Sequence, residues 1–208
     1  MAAVVVLIPA LAQQPVRGAF NGSTSSTGSQ VTTATTFCST PGSSTVDATA
    51  DSTVDQAIPT SASGGDDYYM IVVTQGPSAN RRSFIRFAMP VFSSRCTVTA
   101  ATLRLYTDGA DAGQTLGVYR ADPGAPLWTE TGLTWNNQPV GVGTPATTLT
   151  VATSGFVSWT VTQLVRDLYT GPNNGFLIRD QAENGNGPWQ QYFARQTTNP
   201  PKLTVTWG

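Results

Sequence analysis

The sequence predicts an all-β fold, an antiparallel sandwich of jelly-roll type. Three observations carry that prediction. Apolar and polar residues alternate with period two from about residue 43 onward. Clusters of Gly, Pro, Asn and Asp recur at short intervals between the alternating runs. A single segment alone breaks the alternation with helical spacing.

The alternating runs come in a clear order. "SFIRFAM" places Ile85, Phe87 and Met89 on one face and Phe84, Arg86 and Ala88 on the other. "ATLRLYT" places Ala101, Leu103 and Leu105 opposite Thr102, Arg104 and Tyr106. "QTLGVYR", "GFVSWTV", "GFLIRDQ", "QQYFARQ" and "KLTVTWG" follow the same rule. The breaks "TQGPSANRR", "TDGADAGQ", "RADPGAP", "TGPNNG" and "AENGNGP" are rich in turn formers. "TVTQLVRDLYTG" spaces Val161, Leu164, Val165 and Leu168 for one short helix near 161–170, stopped by Gly171.

Ahead of this body lies a different kind of chain. Residues 1–43 form an apolar and Ser/Thr-rich segment, extended in character, and residues 44–208 form the sandwich domain. "AAVVVLIPALA" is too short for a bilayer span, which needs about 20 apolar residues. It ends in an A-x-A-like signal, Ala10-Leu11-Ala12, and lacks a basic n-region. It reads as a signal-peptide remnant or as a donor strand built on Val4, Val5, Val6, Leu7, Ile8 and Phe20. Asn21-Gly22-Ser23 is a glycosylation sequon.

Composition narrows the chemistry. Of 208 residues 39% are hydrophobic, enough for a core, while only 11% are charged. That charge is well below the roughly 25% of ordinary soluble domains, so hydroxyls and amides solvate the surface, as is common outside cells. The net charge of −1 offers no global field for nucleic acid. The chain has no histidine, which removes His-based triads and His-ligated metals. Its one lysine, Lys202, sits in a strand-like run and reads as an exposed strand lysine. Its two glutamates, Glu130 and Glu183, fall in separate loops and read as solvated. Glycosidases need a carboxylate pair at set separation, so an enzyme is disfavoured. Asp180 is expected to pair with a strand arginine.

Cys38 and Cys96 suggest one disulfide in an exported chain, within one chain or between two. Two buried free thiols are the alternative. No cofactor is expected. Asp108 with Asp111, or Asp66 with Asp67, could give oxygens to calcium, although neither run has full EF-hand spacing. Arg86 and Arg104 stand opposite aliphatic faces and would form a basic patch if their strands are neighbours. Trp128 and Trp189 lie in or beside turns, and Trp135 reads as core. Trp189 and Tyr192 are the candidates for an exposed platform on which sugar rings stack.

Two resemblances add to this reading. "RRSFIRFAMP", "CTVTAATLRLYT", "GVYRAD", "LTWNNQP", "VTQLVRDLYTGPNNGFLIRD" and "YFARQTTNPPKLTVTW" resemble, in order, the DNRLRE-type domains, also classed as family 96 carbohydrate-binding modules. The resemblance covers about residues 44–208. It implies a secreted jelly roll, with some members binding polysaccharides such as alginate. The literal D-N-R-L-R-E run is missing, and no enzyme domain is attached. "GAFNGSTSSTGSQVTTATTF" resembles the mature N-terminus of the camelysin/TasA family of secreted fibre proteins, which implies subunits joined by donor strands.

Two functions follow. The first is an extracellular or cell-surface structural protein, a fibre subunit assembled with copies of itself by N-terminal strand donation. The second is a secreted, non-catalytic carbohydrate-binding module for an acidic polysaccharide, using Arg86, Arg104, Trp189 and Tyr192. The apolar head, the Ser/Thr-rich lead and the missing enzyme domain favour the first.

Overall fold

The computed structural model describes residues 37–63, 67–110, 114–146, 148–151, 154–187 and 189–208. The donor-strand residues Val4 to Ile8 and Phe20 lie outside the described residues, as do Asn21, Asp66 and Asp111.

In chain order the elements are β1 (Gly42–Asp55), β2 (Tyr69–Val72), β3 (Arg81–Phe87), β4 (Val98–Thr107), β5 (Gly109–Ala110) and β6 (Gln114–Ala121). There follow β7 (Gly141–Val142), β8 (Thr148–Val151), β9 (Gly155–Thr160), α1 (Thr162–Tyr169), β10 (Phe176–Asp180), β11 (Gln190–Phe193) and β12 (Lys202–Trp207). All strand pairs are antiparallel.

The pairing is nested. β1 pairs with β12, β3 with β10, β4 with β9 and β6 with β8. Eight strands thus pair first with last, working inward, which is the jelly-roll pattern. One half-sheet reads β1-β12-β4-β9 and the other β3-β10-β6-β8. β1 serves both. Gly42 to Asp47 pair with β12, and Ala48 to Asp55 pair with β3, with a register shift between Ala48 and Ala50. A bulge there bends the strand from one half to the other. A small third sheet runs β2-β11-β5.

The inward positions make one core. Leu103, Leu105, Trp159, Leu203 and Val205 meet Ile85, Phe87, Val118, Phe176 and Ile178 in a single buried cluster. The helix forms where the sequence spacing placed it. Leu164, Val165 and Leu168 are buried, and Arg166 near its C-terminus suits the helix dipole. The Arg166 Nε also donates to the Val98 carbonyl at 2.8 Å. Pro172 cannot extend the helix.

Cys38 and Cys96 are joined within the chain. The bridge closes a sequence separation of 58 residues, worth about 4 kcal/mol in a chain-entropy model.

One face departs from the period-two expectation. The alternation sets Phe84 with Arg86 and Ala88 opposite the Ile85 face of β3, yet Phe84 is fully buried. The segment 122–140 lies over that side and builds a second core of Ala50, Val54, Phe84, Tyr119, Trp128, Leu133 and Leu177. Trp128 meets Phe84 edge-on at 6.0 Å and donates its indole N–H to the Asn174 carbonyl at 2.9 Å. The Asn174 amide in turn donates to the carbonyls of Asp122 and Ala125. Gly175 follows with φ +74°, and a Cβ there would stand 2.1 Å from the Ile85 carbonyl oxygen, so only glycine fits.

Candidate functional site: the uncovered sheet face

The other half-sheet keeps its outer side open. Its register sets outward side chains in ranks across β1, β12, β4 and β9. Thr45, Thr204, Thr102 and Thr160 stand side by side, and so do Asp47, Lys202, Arg104 and Ser158. The Thr45 and Thr204 hydroxyls share a hydrogen bond of 2.8 Å, and Lys202 pairs with Asp47 at 2.6 Å. Lys202 is thus a partly exposed strand lysine.

At one end of this face the hydroxyls give way to rings. Tyr106 continues the outward row of β4, and Phe156 stands opposite it on β9. Their centroids are 5.0 Å apart. Tyr106 lies 4.9 Å from Phe193, which lies 5.3 Å from Tyr68, which lies 4.8 Å from Tyr69. Five rings therefore run in a continuous strip. Tyr68 is 55% exposed and Phe156 45%. The Arg104 guanidinium sits 3.7 Å over the Phe156 ring, a cation–π contact that holds the charge on the strip. At the tyrosine end a cleft of about 290 Å³ opens, lined by Tyr68, Tyr69, Asp55, Asp67, Arg81 and Ile58. Arg81 donates to Asp55 at 2.7 Å and caps the Trp189 ring at 5.1 Å. Tyr69 donates its hydroxyl to Asp108 at 2.8 Å, and that bond holds its phenol above the ordinary value.

Such a surface has the chemistry of sugar recognition. Ring faces accept C–H bonds and bury apolar area. Hydroxyls, Asp55, Asp67 and the guanidiniums supply directional partners.

The sequence-based candidates fall out unevenly. Arg104 lies on the open face as expected. Arg86 does not join it, because β1 and β12 separate β3 from β4. Arg86 is instead held under the covering segment, 5.1 Å over Trp128 and bonded to its carbonyl. Trp189 is half-buried beneath Arg81 rather than a bare platform. Tyr192 is fully buried, edge-on to Trp159 at 6.0 Å, with its phenol driven upward by burial. It alternates inward on β11 where its neighbour Phe193 reaches the strip. Trp135 is only partly buried, with Arg82 4.4 Å over it. Composition and spacing did not single out Tyr68, Tyr69, Phe156 or Phe193. Tyr106 was placed on the polar side of its strand, and an aromatic at such a position is the signal that finds the strip.

The carboxylates are engaged. Glu183, expected in solvent, takes a two-pronged bond from Arg82 at 2.6 and 2.8 Å and another from Arg179 at 2.9 Å. Asp180, expected to pair with an arginine, accepts from Gln114 and the Ala182 N–H instead. Glu130 pairs with Arg195 and accepts from the Asp51 N–H. Burial raises the Glu130 carboxyl, and the hydrogen bonds from Arg195 and Asp51 outweigh it, leaving it below its usual value. Asp51, buried beside Glu130, is pushed up to about 6, with burial the larger cause. Among the described residues no group of three or more metal-ligating side chains comes together.

A larger cavity lies elsewhere, about 880 Å³ between residues 89–98 and α1, walled by Val91, Phe92 and Tyr169. It is chiefly apolar, and its Arg166 is spent on Val98. Among the described residues no helix is long and apolar enough to cross a membrane.

No curated protein matches the chain significantly. The model of carbohydrate-binding module family 96 matches residues 42–207, which holds both half-sheets, the strip and the cleft, and the chain belongs to that family.

Proposed function

We propose that this chain is a non-catalytic module of an extracellular protein that holds an acidic polysaccharide on its uncovered face. The observation that carries the reading is the five-ring strip ending in Arg104, exposed at Tyr68 and Phe156, half-buried at Tyr69 and Tyr106 and anchored by the buried Phe193, on a fold of a carbohydrate-binding family. Sugar rings lie on Tyr68, Tyr106 and Phe156. Arg104 and Lys202 meet carboxylates of the chain. The engaged glutamates and the missing histidines support a binding role over catalysis. The intrachain disulfide suits an oxidising compartment.

The fibre reading depends on residues that lie outside the described ones, and the family match gives self-assembly no support. We therefore favour glycan binding. The test is affinity electrophoresis in gels containing alginate, polygalacturonate or xylan. The wild type is expected to be retarded most by an acidic polymer, and Tyr68→Ala with Phe156→Ala to abolish the retardation. Unchanged mobility of the wild type in every gel, or equal retardation of the double variant, rejects the reading.

A further inference from the structure

Asp108 and Gly109 form the corner between β4 and β5, and each of Asp108's carboxylate oxygens has its own partner. One accepts the Tyr69 hydroxyl at 2.8 Å, and the other accepts the Gln191 amide nitrogen at 2.9 Å. The Gln191 amide oxygen then accepts the Trp189 indole N–H at 3.4 Å. The amide orientation is dictated by chemistry, since only its nitrogen can face a carboxylate and only its oxygen can face an N–H. Gly109 pairs with Gln191 across the small sheet. A Cβ at residue 109 would stand 2.8 Å from the Gln191 amide nitrogen and 3.4 Å from Cδ. The bare glycine backbone is therefore the shelf on which the Gln191 amide lies.

We propose that Asp108-Gly109 is a positioning bracket that fixes Tyr69, which lines the cleft, and Trp189, which supports the cleft's Arg81 from below, relative to each other. Its use in recognition rests on the carbohydrate-binding reading above. Tyr69 lines the cleft and ends the ring strip, while Trp189 stands under Arg81, which lines the same cleft. One carboxylate thus holds both rings, directly and through Gln191. A ligand in the cleft meets Tyr69, and Arg81 on its Trp189 support, already oriented, which spares the ordering cost of binding. None of Asp108, Gly109 or Gln191 lines the cleft, so their effect on affinity is indirect.

The test uses the full chain with Asp108→Ala, Asp108→Asn and Gly109→Ala, each checked for folding by circular dichroism. Two readouts are independent of any ligand: the Tyr69 phenol titration and the Trp189 indole N–H resonance. A third is binding to whichever of alginate, polygalacturonate or xylan retards the wild type. Asp108→Ala is expected to bring the Tyr69 phenol down, move the Trp189 signal and weaken binding about tenfold. Asp108→Asn keeps one acceptor and falls between. Gly109→Ala leaves the Tyr69 titration in place, shifts the Trp189 signal and weakens binding less. Unmoved Tyr69 and Trp189 signals in Asp108→Ala overturn the bracket. So does wild-type affinity in a variant whose signals have moved. If none of the polymers binds the wild type, the carbohydrate reading falls, and the bracket is judged on the two resonances alone.

Discussion

The two half-sheets share one core but treat their outer sides in opposite ways. Over β3, β10 and β6 the segment 122–140 is laid down as a cover, and a second hydrophobic cluster forms beneath it. Over β1, β12, β4 and β9 nothing among the described residues is laid down, and the outward ranks carry Ser, Thr, aromatic and charged residues, with Asp47, Lys202 and Arg104 among the last. Arginines occur on both sides with the same partner type, a ring. Under the cover each is immobilised further. Arg82 grips Glu183 and Gln138, Arg86 bonds the Trp128 carbonyl, and Arg179 bonds Glu183 and Tyr119. On the open side Arg104 has Phe156 beneath it and solvent above. The same residue type is structural on one side and available on the other, and burial decides which.

The comparison can be broken from the covered side first. Trp128→Ala removes the buried ring that fastens the cover, and its indole hydrogen bond. We expect a loss of about 3–5 kcal/mol in urea unfolding, with glycan binding per folded molecule unchanged. A loss of binding in the folded fraction would show that the cover, and not the open face, carries the site.

The Asp51–Glu130 contact gives a pH test of the same side. Asp51 keeps its proton to about 6 in the fold, against an ordinary aspartate value of 3.8. Between those values the folded state binds more protons than the unfolded one, so stability falls as pH rises from about 4 to 6. The effect is up to about 3 kcal/mol. Glu130 has the opposite sign, because its lowered value gives stability that is lost only as pH falls through the acid range. Asp51→Asn should flatten the slope between pH 4 and 6. Glu130→Gln removes the Glu130–Arg195 ion pair and should cost about 1–3 kcal/mol at pH 7. A slope that survives Asp51→Asn would assign it to another group.

The smallest effect belongs to the open side. Thr102→Ala faces solvent and should change stability by less than about 0.5 kcal/mol. A larger loss, read in the same unfolding experiment, would mean that the hydroxyl rank is structural.

Much of this fold was legible in the sequence because alternation reports burial directly. "ATLRLYT" is half wet and half dry, and its pattern held residue by residue. The helix "TQLVRDLY" was readable for the same reason, with a different period. What stayed hidden were the features that need two distant segments. β3 buries apolar residues on both of its sides, Ile85 and Phe87 on one and Phe84 on the other, because residues 122–140 return to cover Phe84, and no local period encodes that return. Arg86 and Arg104 carry the same pattern, yet the bend of β1 sends their strands to different half-sheets. Tyr192 and Phe193 are adjacent, and only the facing of β11 tells which is core and which joins the strip. Cys38 and Cys96 suggest a disulfide from sequence, with free thiols and an interchain bridge as open alternatives, and the structure joins them within one chain.

The measurement that bears most directly on the central claim is a chemical-shift titration of the full chain. Soluble oligosaccharides cut from the best-binding polymer serve as the probe. Shifts are expected at Tyr68, Tyr69, Arg104, Tyr106 and Phe156, and none at Arg82, Tyr119 or Trp135. Shifts confined to the covered side, with the five rings silent, would contradict it.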